Sequence, residues 1–73
     1  MPGEENNLKV IRIKLRKSKA AIAREAGIDA KTYTAIENGT RVGRDITRGS
    51  IKDVINKYRK ERHEPSLSEE EIF

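Results

Sequence analysis

Apolar residues recur along this 73-residue chain mostly at helical spacing. Leu8, Ile11 and Leu15 fall at i, i+3 and i+7. Ile11, Ile13 and Leu15 also alternate with charges, as strand residues would, but helical segments follow and a helix is predicted over 8–17. Ser18 is a good N-cap for a second helix, Ser18–Ala26. Ala20, Ala21, Ala23 and Ala26 favour it and let a neighbouring helix approach closely. Gly27 fits the left-handed residue that ends a helix. Asp29 is a second cap, and Asp29–Asn38 turns Tyr33 and Ile36 inward before Asn38-Gly39 stops it. Ile51, Val54, Ile55 and Tyr58 recur at i, i+3, i+4 and i+7. They predict an amphipathic helix that starts at Thr47 or Ser50 and runs to about Arg62.

The remaining stretches are connectors. Residues 1–7, with Pro2, Gly3 and two asparagines, read as a flexible N-terminal arm. Thr40–Gly49 reads as a loop rich in Arg and Gly, with Ile46 as its candidate anchor. His63-Glu64-Pro65 breaks the chain. Residues 63–73 are then an acidic tail or a short fifth helix capped by Ser68. One domain over 8–62, all-α and built as a small bundle of four to five helices, is the expected architecture. Val10 and Ile13 are apolar beyond what one helix face needs. They either meet the last helix through Leu67, Ile72 or Phe73 or form a partner surface.

Composition narrows the function. The chain has no cysteine, so it is no disulfide-stapled scaffold, and its lone His63 leaves no Cys/His metal site. A single small core seldom builds a deep pocket, which argues against an enzyme and against a bound cofactor. Met1–Asn7 is polar and acidic, unlike a secretory leader, and no apolar run approaches a membrane span. A cytoplasmic binding module is expected. Its formal net charge is +4, unevenly spread. Residues 1–60 hold 15 Lys and Arg against 7 Asp and Glu, whereas 61–73 hold one Arg against five Glu. A basic body suggests an anionic partner such as nucleic acid.

Two short helices joined at Gly27-Ile28 make a helix-turn-helix, and in DNA-binding versions the second helix enters the major groove N-terminus first. Here that helix begins Asp29-Ala30-Lys31-Thr32: small, basic and hydroxylated after the cap. Lys31 can donate to guanine O6 and N7 or to a phosphate. Thr32 can donate, accept or touch a thymine methyl. Arg41 and Arg44, with Arg48 as a third candidate, suit a phosphate clamp.

The run from Ser18 to Gly39 resembles the core of the Cro/cI-type helix-turn-helix domains, the XRE family, at Ala23, Gly27 and the closing Ile36-Glu37-Asn38-Gly39. The resemblance implies a lambda-repressor-like, five-helix DNA-binding domain, usually a homodimer on a palindromic operator. It implies base-facing places for Ala30, Lys31 and Ala35, flanked by Thr32 and Thr34. It also implies phosphate contacts at Lys19 and Asn38, to which Ser18 and Thr40 are added as hydroxyl candidates. Arg12 takes the place of a helix-1 arginine that pairs with the glutamate matched by Glu37. Ala30 and Ala35 stand where the family often carries Gln or Arg, so readout would rest on Lys31, Thr32 and DNA shape.

The expected function is a sequence-specific, nucleoid-associated transcriptional regulator, a repressor of prokaryotic, phage or mobile-element origin. Two alternatives remain open. One is an antitoxin-like module that captures a basic protein through its acidic tail and the Val10/Ile13 surface. The other is an architectural or recombination accessory factor.

Overall fold

The structure is a computed structural model and describes residues 6–73. These residues form five α-helices and no strand: α1 (Leu8–Leu15), α2 (Lys19–Ala26), α3 (Ala30–Glu37), α4 (Asp45–Glu61) and α5 (Glu69–Ile72). The core gathers the apolar stripe of every helix. Leu8, Ile11 and Leu15 of α1 meet Ile22 and Ala23 of α2, Tyr33 and Ile36 of α3, Ile51, Val54, Ile55 and Tyr58 of α4, and Ile72 of α5. Each large aliphatic removed from water here contributes about 1.5–3 kcal/mol. The long α4 is the spine, and α2, α5 and α1 all pack on it. No helix among the described residues is long and apolar enough to cross a membrane.

The helix ends follow local chemistry. Ser18 and Asp29 are the caps of α2 and α3, and Ser68 forms a capping box with Glu71 at the start of α5. Arg16 ends α1 in the left-handed region, at φ 59. Lys17 follows and lays its ammonium 4.5 Å from the centre of the Tyr58 ring, a cation–π contact that ties the α1–α2 joint to α4.

Three expectations are corrected. The long helix starts at Asp45, not at Thr47 or Ser50, so the connecting loop is shorter than the sequence suggests. Its first turn is held by polar contacts: Arg48 donates to the Gly43 carbonyl at 2.7 Å and pairs with Asp45 and Glu69. Ser50 is not a cap, because its hydroxyl donates to the Ile46 carbonyl one turn back, at 3.0 Å. Ile46 anchors nothing, being 76% exposed.

At the chain ends, Asn6 and Asn7 differ from a loose arm, and 63–73 takes the second of its two expected forms, a short fifth helix capped by Ser68. Residues 1–5 of the predicted arm lie outside the described residues. Asn6 donates from its side chain to the Ile36 carbonyl at 2.7 Å, and Asn7 donates from its backbone and side chain to the Ile72 and Glu71 carbonyls. Segment 63–73 folds back onto α4. Asn56 both donates to and accepts from the Leu67 backbone, and Ile72 is fully buried. The acidic residues of this segment are therefore part of the folded body.

Candidate nucleic-acid interface

The geometry of the site begins with two capped helices and the turn between them. The Ser18 hydroxyl oxygen accepts from the Ala21 amide at 3.0 Å, which fixes the start of α2. At its end Gly27 takes φ +78, and the Ile28 amide reaches back to the Ala23 carbonyl at 3.0 Å. A Cβ at Gly27 would meet nothing within 4 Å, so the demand for glycine comes from the backbone angle rather than from space. The Asp29 carboxylate then accepts from the Thr32 amide at 2.6 Å and starts α3. That bond holds the Asp29 carboxyl below its ordinary range, and the charges of Arg41 and Lys31 add a smaller effect of the same sign. Both cations thus lie near the N-terminus of α3.

Burying Tyr33 and Ile36 turns the opposite side of α3 outward. Ala30, Lys31 and Asn38 are exposed, and Thr34 and Ala35 are half-buried. These five residues and Thr40 line one shallow depression along the helix. A second depression at the N-terminal end brings Thr32 together with Arg41, Gly43, Arg44, Ile46 and Thr47. Gly43, at φ +85, permits this approach, since a Cβ there would come within 2.9 Å of the Ile36 side chain. The structure thus gathers Ala30, Lys31, Thr34, Ala35 and Asn38 along one depression and Thr32, Arg41 and Arg44 in another, with Lys31 and Thr32 adjacent in α3. Among the described residues, Lys31, Arg41 and Arg44 have no carboxylate within ion-pair distance.

Ser18 stays exposed as the cap of α2, and Lys19 follows it as the first residue of that helix. The Lys19 ammonium lies 4.0 Å from Glu37 Oε2, which draws it toward the C-terminal end of α3. Glu37 itself is buried and accepts from Arg12 Nε at 2.8 Å, so the pair implied by the resemblance is present. Arg12 also donates to the Lys17 carbonyl at 3.2 Å and so joins the ends of α1 and α3 to the α2 start. Glu37 and burial act oppositely on Arg12, and the bond to Glu37 wins, raising its pKa. Tyr33 lies in the core beside this pair. Burial raises its pKa, and its hydroxyl has no hydrogen-bond partner among the described residues.

Two candidates change role. The Thr40 hydroxyl donates to the Ala35 carbonyl at 3.1 Å, which leaves it no proton for a phosphate while it caps α3. Arg48 is engaged by the Gly43 carbonyl, Asp45 and Glu69, and it braces the loop rather than clamping a ligand. One supporting residue had no clear signal in the sequence: Asn6, whose side chain gives the Ile36 carbonyl a second donor beside the Gly39 amide and so ties the start of α1 to the end of α3. Comparisons of the chain with family models, with curated proteins and with solved structures return no match.

Proposed function

We propose that this chain is a lambda-repressor-like, helix-turn-helix protein that binds double-stranded DNA and regulates transcription. The observation that carries the reading is the α3 face. A recognition-type helix with small and hydroxylated residues outward has Lys31 at its tip and, beside it, Arg41 and Arg44, which have no carboxylate partner among the described residues. No reaction is required of it. α3 enters the major groove, and Lys31, Thr32 and Thr34 address base edges. Ala30 and Ala35 let the backbone come close and can touch thymine methyls. Ser18, Lys19, Asn38, Arg41 and Arg44 hold the phosphates on either side and displace their counterions. Occupancy excludes other proteins from the site, which suits a repressor. A homodimer on a palindrome would place two α3 helices about 34–36 Å apart.

The experiment is a titration of the isotope-labelled chain with duplex DNA, followed through backbone amide signals at two salt concentrations. Shifts concentrated in 18–20, 30–35 and 38–44, weakening steeply with salt, support the reading. Shifts elsewhere, or no binding at low salt, refute it.

A further inference from the structure

α1 presents a second surface that the DNA reading does not use. Its inward stripe is buried, but Val10 and Ile13 on the other side are 54% and 55% exposed. In a chain with only 34% hydrophobic residues, two aliphatics left together in water call for a reason. The charges that α1 itself places around them have one sign. Lys9, Lys14 and Arg16 are all exposed, and α1 contains no acidic residue. Lys9 sits in the first turn, where the helix dipole disfavours a cation, so helix stability does not account for it.

Beside this face runs a groove between α1 and the end of α4 with the chain that returns after it. Val10, Lys14 and Leu15 form one side, and Arg59, Leu67 and Glu71 are on the other. Arg62 closes its end by donating to the Lys14 carbonyl at 2.6 Å. Two carboxylates lie along the groove. Glu64 pairs with Arg59 and Arg62 at 3.6 and 3.8 Å, and Glu71, which accepts from the Ser68 amide at 2.8 Å, keeps its charge. Against these two stand Lys14, Arg59 and Arg62, with Lys9 and Arg16 beyond, so the balance among the described residues is positive. None of these residues lines the depression along α3.

The geometry points to a docking site for an acidic amphipathic helix of another protein. Val10, Ile13 and Leu67 receive its apolar stripe, while Lys9, Lys14 and Arg16 pair with carboxylates on its flanks. The sequence suggested a basic partner held by a free acidic tail. The folded tail and the ring of cations reverse that sign. Two aliphatics set among the cations gain nothing from a phosphate backbone, and a walled groove fits a rod better than a flat lipid surface.

The test is a selection from a randomised library of displayed helical peptides against the full chain. The winning peptide is then mapped by amide shifts. The proposal expects winners with apolar residues at i, i+3 or i+4 and Glu or Asp beside them, shifting residues 7–16 and 59–67. Ile13→Glu and Lys14→Glu should each weaken binding at least about tenfold by like-charge repulsion. Both side chains are exposed, so unchanged melting curves would show that the fold survives. Enrichment of basic peptides, shifts on α3, or no enrichment would overturn it. So would sedimentation showing that the chain self-associates through this face until Ile13→Glu abolishes it. Binding to anionic vesicles in preference to the selected peptide would overturn it as well.

Discussion

Glu37→Ala removes one partner of the ion pair that joins α1 to the end of α3. The Glu37 side chain is 1% exposed and that of Arg12 is 14% exposed, with 2.8 Å between them. Breaking a buried pair from one side costs about 3–5 kcal/mol, because the remaining charge is left without compensation. Arg12 keeps its bond to the Lys17 carbonyl and some water, so a cost just below that range, about 2–3 kcal/mol, is expected here. A domain of this size has roughly 4–11 kcal/mol in total. At about 4–8 °C per kcal/mol, the melting temperature should fall by roughly 10–20 °C. Far-UV circular dichroism melts give the number. Replacing both partners, Arg12→Met with Glu37→Met, should recover most of the loss, because no buried charge is then stranded. A Glu37→Ala melt within about 2 °C of the parent would refute the reasoning. So would a double variant no more stable than the single one.

Lys31→Ala should weaken binding to a preferred duplex by about 1–3 kcal/mol and relax preference at one base pair. Unchanged preference in a competition assay would move readout elsewhere. Arg41→Ala should weaken binding to all sequences and reduce the slope of log affinity against log salt by about 0.9; a loss confined to one sequence would contradict a phosphate role. Tyr33→Phe should leave the melting temperature unchanged or higher, since it removes a buried hydroxyl that has no partner among the described residues. A loss above about 1 kcal/mol would show that the hydroxyl is bonded. The Asp29 carboxyl titrates below its ordinary value in the folded chain. Its contribution is therefore present above that ordinary value and fades as pH falls through the folded one. Asp29→Asn keeps the cap, so it should match the parent at neutral pH and lose less stability in acid; parallel acid limbs in pH-dependent melts would count against this.

The helix-turn-helix was legible because its punctuation is local. Ser18, Gly27 and Asp29 act within four residues of themselves, so each cap could be read from its immediate neighbours. α5 was legible for the same reason, through Ser68 and Glu71. The start of α4 was not. Ile46 breaks the apolar stripe by facing water, and Gly49 weakens the helical signal. The turn is instead held by Arg48, whose partner Glu69 lies 21 residues away. The same distance effect hid the real duty of Arg48, which in sequence looks like any other arginine of a basic loop. Val10 and Ile13 were visible as surplus apolar residues. Their setting depended on how 63–73 folds back, which no local pattern states.

The most direct measurement of the central claim is in vitro selection of random duplex DNA by the purified chain and by its Lys31→Ala variant, each at low and moderate salt. The account predicts an enriched motif with the parent, its two halves centred about 34–36 Å apart if the chain dimerises. It also predicts that the variant loses preference at one position in each half. Enrichment by neither chain, or an identical motif from both, would contradict recognition of DNA through the tip of α3.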